Sequence, residues 1–310
     1  MKSLILGTFN IDDISLPNTQ LSKVVGGAAS YAALASALFA TTGVGGVAGN
    51  DFPKEFVSQL EEKGVDISNI QYVDSPSFRW KAMYSADLND LKTTYQSMNA
   101  SKELDVEKIN GRSKTAKVVF FSNLDPNHQL KMIEKTPKHV IKLLDSMDLW
   151  IEEKRDVLKK VLKQVDIYFV SEHEASILIG KQLPLHDMIT EVMRLGPRVV
   201  VIKKGRHGLS MYGELGTLAI PSYPLAHVLD PSGAGDSLGG ATAGALARLG
   251  KFDFESVATA LFMGSVVASF VIEGYTHDVL LNLTLDEVLN RSEFYLKQLP
   301  NTDNMLIDNI

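Results

Sequence analysis

The sequence predicts an α/β fold with a central, mainly parallel sheet and a small additional sheet. Short β-branched runs alternate with stretches that have one polar and one apolar helical face, and this alternation is typical of parallel strands joined by helices. The strand-like runs are Leu4–Leu6, Val118–Phe121, Ile167–Val170 and Val199–Ile202. Helical stretches include Lys154–Gln164 and Asp187–Leu195. We therefore expect helices on both faces of one large sheet.

One stretch departs from this alternation. Residues 71–99 hold several short runs of alternating polarity with little helical periodicity, which indicates a small antiparallel sheet apart from the main one. Residues 9–24 are expected to add a strand to it. A small sheet outside an α/β core suits a lid over a binding site, so residues 1–310 are interpreted as one domain with a lid inserted in it. Exposed lid edges can pair between subunits, and a homodimer through the lid is expected.

The C-terminal third is predicted to be helical. Small and apolar residues recur on one helical face from Leu238 to Leu249, and Gly250 follows as the expected C-cap. A second apolar helix is expected over Val257–Val271.

Composition restricts the classes of function. The chain has 310 residues, no cysteine and a net charge of −6, so disulfides and thiolate metal sites are excluded and no basic surface for nucleic acid is indicated. The N-terminus is interpreted as a first strand rather than a signal peptide. The apolar stretches are interpreted as too short or too polar to span a bilayer. We expect a cytoplasmic protein without nucleic-acid or membrane partners.

The most informative segment is LDPSGAGDSLGG, which begins at Leu229. The small residues Gly233, Ala234 and Gly235 lie just before a predicted helix, whose free N–H groups and dipole favour an anion. Asp236 follows directly, and two interpretations exist. It is a favourable charge at a helix start, or it accepts a proton from an attacking hydroxyl while the N–H groups hold a phosphate. On glycine and aspartate alone, the first interpretation is the more economical.

The complete segment resembles the D-T-T-G-A-G-D-S/A signature of the ribokinase-like (PfkB) carbohydrate kinases, with Pro231 in place of a threonine. The resemblance implies a three-layer fold and phosphotransfer from ATP, with Mg²⁺, to a hydroxyl of a small sugar, polyol or nucleoside. It implies that Gly233, Ala234 and Gly235 form the anion hole and that Asp236 is the base. A monovalent cation, K⁺, near Asp230 is implied as well.

Two N-terminal segments resemble the family's substrate-binding motifs. Leu6–Asp12 is similar to its first strand, whose aspartate binds substrate hydroxyls, and Val24–Ala35 is similar to its glycine motif. Asp12, Gly26 and Gly27 are therefore implied to contact the substrate. Aspartates at a strand end also commonly cap turns, and we keep this structural interpretation for Asp13.

Three further segments are similar to the family's metal and nucleotide motifs. Val170–Ala175 resembles its magnesium motif, which implies that Glu174 holds Mg²⁺ through water and that Ser171, in place of the usual asparagine, lies at the nucleotide. A first-turn glutamate of a helix is the alternative for Glu174. In Val199–Tyr212 and the region around Ala268–Tyr275 the resemblance implies nucleotide contacts, by Lys203, Gly205, Gly208, Gly264 and Ala268.

Other candidates follow from position along the predicted strands. Asn123 ends a strand, and ligands in open α/β sheets bind beyond the carboxyl ends of strands, so Asn123 is a predicted substrate residue. Phe78 and Trp80 alternate around Arg79 and share one face. They either pack the small sheet or meet a ring-bearing substrate.

Departures from the family pattern leave the substrate open. Tyr31 stands where many family members have a substrate-binding asparagine, so their sugar specificity does not transfer. Ala28 stands where ribokinases proper often carry lysine or asparagine, which disfavours ribose. The alternatives are a nucleoside kinase of the same fold and a non-catalytic nucleotide or metabolite sensor. Ser171 favours the sensor, whereas the intact Asp236 argues against it.

Overall fold

The structure, a computed structural model, describes residues 1–109 and 115–299. The strands are β1 (Ser3–Leu6), β2 (Asn10–Leu16), β3 (Thr19–Gly26), β4 (Thr42–Ala48), β5 (Asp66–Tyr72), β6 (Phe78–Tyr84), β7 (Leu91–Ser97), β8 (Val118–Phe121), β9 (Ile141–Leu144), β10 (Ile167–Ser171), β11 (Val199–Lys203), β12 (Leu209–Gly213) and β13 (Gly216–Ile220). The helices are α1 (Ala28–Ala37), α2 (Lys54–Glu62), α3 (Pro126–Lys135), α4 (Asp148–Glu153), α5 (Arg155–Leu162), α6 (Glu172–Ile179), α7 (Leu185–Arg194), α8 (Ala234–Leu249), α9 (Phe254–Val271), α10 (Asp278–Asn282) and α11 (Leu285–Leu296).

A nine-stranded sheet forms the middle layer, in the order β13-β12-β11-β10-β9-β8-β1-β4-β5. The strands from β11 to β5 run parallel, and β12 and β13 add an antiparallel edge. This confirms the predicted α/β fold with a mainly parallel sheet. The predicted strands are its buried centre, because parallel strands are covered on both faces and therefore consist of continuous apolar runs.

Helices cover both faces of the large sheet. Phe120 and Phe169 pack with α1, α8 and α9 on one side, and Phe121 and Val170 pack with α3, α5, α6 and α7 on the other. Alternate residues of each strand thus enter two separate cores. Close contact between α1 and α8 depends on glycine, since a Cβ on Gly240 would lie 2.2 Å from the carbonyl oxygen of Ala32.

Helix α9 differs from the expectation about apolar stretches. Phe254–Val271 is long and apolar enough to cross a membrane by length and composition, but most of it is buried inside the protein. It packs against α8, α10, α11 and β13. Its uniform apolarity therefore reflects a helix buried on all sides.

A separate four-stranded sheet has the order β3-β2-β6-β7. β2 is parallel to β6, and the two outer pairs are antiparallel. The region 9–24 supplies two strands rather than one, and residues 71–72 belong to β5 of the large sheet. Asp12 and Asp13 also do not end the first strand. The chain leaves the large sheet at Gly7, where a Cβ would lie 2.9 Å from the Ala29 nitrogen, and both aspartates lie in β2.

Candidate active site

A cavity of about 570 Å³ lies between the small sheet and the carboxyl ends of the large sheet's strands. Its walls come from β2, β6 and β7, from the start of α1, from the segments after β8 and β9, and from the start of α8. The predicted site residues that line it are Asp12, Gly27, Asn123, Glu174, Lys203, Gly233, Gly235 and Asp236. The structure thus brings residues together that are up to 224 positions apart in the sequence.

The start of α8 presents free N–H groups to this cavity. Gly233 is the N-cap, with a φ of 75°, and no side chain caps the helix. Within residues 1–109 and 115–299, nothing accepts a hydrogen bond from the N–H groups of Gly233, Gly235 and Asp236. Glycine is required at position 233 for its positive φ and because a Cβ would lie 2.2 Å from the Tyr31 ring. Such a helix start favours an anion.

Asp236 lies in the first turn of α8. Burial raises its pKa to about 6, although the Lys203 charge lowers the pKa and the Glu174 charge raises it further. A carboxyl group that ionises just below neutral pH can accept a proton at physiological pH, which is what a general base requires.

Lys203 ends β11 and lies beside this helix start. A Cβ on Gly235 would be 3.8 Å from its Nζ atom. Nζ donates hydrogen bonds to both carboxylate oxygens of Asp145, at 2.9 and 3.0 Å, and lies 3.6 Å from Glu174. Burial alone lowers the pKa of Lys203, but the charges of Asp145 and Glu174 outweigh it and hold the pKa well above its usual value. The ammonium group is therefore a fixed positive charge at the cavity.

Glu174 has a structural role that the sequence interpretation considered only in general terms. Ser171 caps α6 by accepting from the Glu174 N–H group at 3.1 Å, and Glu174 Oε2 accepts from the Ser171 N–H group at 2.6 Å. This is a capping box, signalled by serine followed three residues later by glutamate. Ser171, which stands where the family usually has asparagine, is thus the N-cap of α6. One Glu174 oxygen remains available at the cavity.

Asp12 lies on the cavity face of β2. It is only 5% exposed, and its Oδ1 atom has no hydrogen-bond partner among the described residues, nor does the Oδ1 atom of Asn10. Burial raises the pKa of Asp12 well above its usual value; the nearby Asn10 amide opposes this shift, and the Asp236 charge adds to it. Gly26 makes room for Asp12, since a Cβ there would lie 1.7 Å from Oδ2.

Aromatic side chains form the wall opposite the large sheet. Phe78 and Trp80 both line the cavity, so they face the cleft as well as packing the small sheet. The Trp80 indole N–H donates to Thr93 Oγ1 at 3.1 Å, which fixes the ring. Asn123 also lies at the cavity, where its Oδ1 accepts from the Trp150 indole N–H at 2.8 Å. A cavity of this kind can hold a ring between apolar walls while polar groups bind its substituents.

Comparison with known proteins identifies the family. The sequence profile described as "pfkB family carbohydrate kinase" matches residues 6–277. The chain belongs to this family. It is accordingly a phosphotransferase of the ribokinase fold, and the family signature is the segment that begins α8.

Two relatives of this PfkB kinase carry names that designate nucleoside kinases. A cytidine kinase of Thermococcus kodakarensis is 27% identical over 76% of this chain and 85% of its own length. A nucleoside kinase of Methanocaldococcus jannaschii is 25% identical over 92% of this chain and 92% of its own length.

Solved structures agree on the fold. The nucleoside kinase of Burkholderia thailandensis in complex with inosine has a TM-score of 0.77, with 19% identity over 96% of this chain and 100% of that chain. A ribokinase II from Escherichia coli in complex with ATP and Mg²⁺ has a TM-score of 0.73. It is 22% identical over 96% of this chain and 99% of that chain.

Of the six residues expected to contact the nucleotide, only Lys203 lines the cavity of this PfkB kinase, and Ser171, Gly205, Gly208, Gly264 and Ala268 do not. Gly205 and Gly208 form the turn between β11 and β12. Gly208 has a φ of 84° and packs on β13, where a Cβ would lie 2.1 Å from the Ile220 carbonyl oxygen. Gly264 is buried against α8, where a Cβ would lie 2.6 Å from Thr242 Oγ1, and Ala268 follows one turn later on α9.

Asp230 serves as an anchor for the loop before α8. Its two carboxylate oxygens accept from the N–H groups of Ser232, at 2.9 Å, and Thr276, at 3.1 Å. It is almost completely buried. The K⁺ ion near Asp230 stays a prediction from the resemblance.

Asp145 is the main functional candidate that the sequence interpretation missed. It directly follows β9, a four-residue strand that was not recognised, and its carboxylate binds Lys203. Burial raises its pKa to about 7, although the Lys203 charge lowers it. Its position after a short apolar run was the available signal, because ligands of α/β sheets lie beyond such strand ends.

Proposed function

We propose that this PfkB kinase is an ATP- and Mg²⁺-dependent nucleoside kinase. One observation carries the proposal: a single cavity has unpartnered acceptors of Asn10 and Asp12 on one side, the aromatic wall of Phe78 and Trp80, and Asp236 beside free N–H groups. The acceptors suit sugar hydroxyls, the aromatic wall suits a planar ring, and Asp236 with the N–H groups suits phosphotransfer. The names of both sequence relatives support a nucleoside rather than a free sugar.

The proposed chemistry assigns each group one task. Asp12 and Asn10 bind the sugar hydroxyls and direct the attacking hydroxyl towards Asp236. Asp236 accepts the hydroxyl proton as the oxygen forms a bond to the γ-phosphorus of ATP and the bond from that phosphorus to the ADP oxygen breaks. The N–H groups at the start of α8 and the Lys203 ammonium stabilise the charge that develops on the phosphoryl oxygens.

The residues present fit a magnesium ion held largely by phosphates and water. No group of three or more His, Asp or Glu side chains that could hold a metal occurs in the described part of the chain, and Mg²⁺ in kinases commonly uses one or two carboxylates with substrate phosphates. Glu174, with one oxygen free of the cap, is the carboxylate that we assign to it through water. When bound, the ion neutralises phosphate charge.

We also propose that the small sheet is a lid over the nucleoside. It supplies Asp12, Phe78 and Trp80 to the cavity, so substrate binding and lid position are coupled. Its edge strands are β3 and β7, and Leu91 and Tyr95 on β7 are about half exposed. These edges support the expected homodimer, since an unpaired strand can pair with another chain.

A coupled assay of ADP release over nucleosides, sugars and inositols tests the proposed function. A nucleoside should be the best acceptor, and Asp236→Asn should reduce single-turnover phosphotransfer about 10²- to 10⁴-fold, the usual range for loss of a general base. The substitution is nearly isosteric, so folding and ATP binding should be retained. Preference for a free sugar would refute the nucleoside assignment. An Asp236→Asn enzyme above about a tenth of parental activity would refute the base, and a parent that binds ATP without any transfer would be a sensor.

A further inference from the structure

Three residues form one row across the cavity face of the small sheet. Asp12 on β2 is the register partner of Trp80 on β6, and Trp80 is the register partner of Gln96 on β7. Register partners in a sheet direct their side chains to the same face, and all three residues line the cavity. Neighbouring strands are about 4.8 Å apart, so the row spans about 10 Å. That length accommodates a sugar joined to a planar ring.

The end of this row holds an unsatisfied acceptor. Gln96 Oε1 is buried and has no hydrogen-bond partner among the residues that the structure describes. A buried polar atom without a partner is unfavourable, and a bound ligand can offset this cost by donating a hydrogen bond. The Trp80 N–H group is already bonded to Thr93, so the indole supplies a flat surface and the glutamine supplies the polar contact.

We propose that Gln96 is a specificity-determining residue that recognises an amino group on the nucleobase. This inference rests on the proposed nucleoside kinase function. With the sugar hydroxyls on Asp12 and the ring on Trp80, the far edge of the ring lies at Gln96. The inward Oε1 atom accepts from an amino group, and the amide N–H groups can donate to an adjacent ring nitrogen. A ring with an oxo group at this edge directs an acceptor at Oε1 instead and is disfavoured.

Cytidine and uridine separate these cases, because they differ in an amino and an oxo group at one ring position. The parent kinase should show a kcat/KM for cytidine about 10- to 100-fold above that for uridine, the range that corresponds to one buried hydrogen bond. Gln96→Met, similar in size but unable to form these bonds, should lower the cytidine value by about this factor and bring the ratio close to one. Gln20→Met, on the exposed part of β3, is the matched control and should change neither value.

A second measurement does not depend on the folding of a variant. The parent should use the ribonucleoside of pyrimidin-2-one, which has hydrogen in place of the amino group, about 10- to 100-fold less well than cytidine. An unchanged cytidine-to-uridine ratio in folded Gln96→Met would overturn the role of Gln96 while leaving the nucleoside kinase intact. Equal use of cytidine and the pyrimidin-2-one nucleoside would do the same. A parent that phosphorylates sugars but no nucleoside would overturn both proposals.

Discussion

Lys203 Nζ donates to both carboxylate oxygens of Asp145, at 2.9 and 3.0 Å, and is farther from Glu174, at 3.6 Å. The pair lies beside the start of α8 and links the carboxyl ends of β9 and β11. Because both oxygens of the Asp145 carboxylate bind the ammonium, Lys203 keeps its charge and its place at the cavity without a nucleotide. Preorganised charge of this kind needs no rearrangement when phosphate charge develops.

Removing Asp145 should therefore destabilise the protein as well as inactivate it. Asp145→Ala should lower the free energy of unfolding by about 3 kcal/mol, because a largely buried ammonium loses its partner. Adding Lys203→Met should recover most of that stability but no activity, since the unpaired charge is removed. Urea denaturation measures both effects.

Glu191→Ala is the control for the loss of an ion pair, because Glu191 pairs with Arg194 on the surface and should cost no more than about 1 kcal/mol. If the double variant is as unstable as Asp145→Ala, the loss arises from the hydrogen bond between Asp145 and the Ser146 N–H group rather than from Lys203.

Phosphotransfer should lose activity on the acid side of neutral pH. Burial raises the pKa of Asp236 to about 6, and the base acts only when it is ionised, so the rate should rise with pH through about 6 and then level off. The Glu174 charge raises this pKa. Glu174→Gln should consequently move the acid limb to lower pH.

Single-turnover rates of parent and variant at saturating ATP and Mg²⁺ measure the difference, since the titration of ATP itself is common to both. A limb that stays in place or moves to higher pH contradicts the assignment of Asp236.

The magnesium requirement of the same variant tests Glu174 independently. Glu174→Gln should raise the Mg²⁺ concentration needed for half-maximal activity several-fold, because a neutral amide is a poorer partner for a hydrated cation. Stability should change little, since glutamine also serves in a capping box. Glu287→Gln makes the identical change in the capping box of Thr284 and Glu287 on α11. Its Mg²⁺ titration should match that of the parent. If both variants titrate like the parent, Glu174 is a cap and nothing more.

The α8 site could be predicted because its parts are adjacent in the sequence. Gly233, Gly235 and Asp236 need only the local start of one helix to come together. Asp145 reaches them through the order of strands in the large sheet, which depends on packing across the chain. The four residues of β9 carry too little pattern to reveal that order.

The lid was harder to delimit than the large sheet. β7 has the sequence LKTTYQS and is mostly exposed, so no buried face marks its register, and Gln96 gave no signal as a site residue. The lid predicted from the sequence includes residues 71–72, the end of β5, because they resemble the polar strands that follow. Strand pairing in three dimensions, rather than local composition, decides both cases.

Lid closure should be visible in hydrogen exchange. Amide exchange in β6 and β7 should slow when the best nucleoside and a nonhydrolysable ATP analogue bind, because the ligand contacts Phe78 and Trp80 and restricts opening of the small sheet. The parallel strands β8 and β10, buried in the large sheet, should change little and provide the internal reference. Unchanged exchange in β6 and β7 at saturating ligand would contradict a lid.

Asp12 and Asp13 are neighbours on opposite faces of β2, which makes them a matched pair for testing the substrate site. Asp12 faces the cavity with an unpartnered oxygen, whereas Asp13 forms an ion pair with Lys81 at 2.8 Å and accepts from the Lys23 N–H group. Asp12→Ala should weaken nucleoside binding by about 1–3 kcal/mol, the cost of losing hydrogen bonds to buried hydroxyls, and should leave ATP binding nearly unchanged. Asp13→Ala should affect neither ligand by more than a few tenths of a kcal/mol, because its partners lie on the exposed face.

Calorimetric titration of each ligand into each variant measures the four values. Equal losses for nucleoside and ATP in Asp12→Ala would mean that Asp12 supports the fold of β2. An Asp13→Ala loss as large as that of Asp12→Ala would assign the effect to the strand rather than to the cavity.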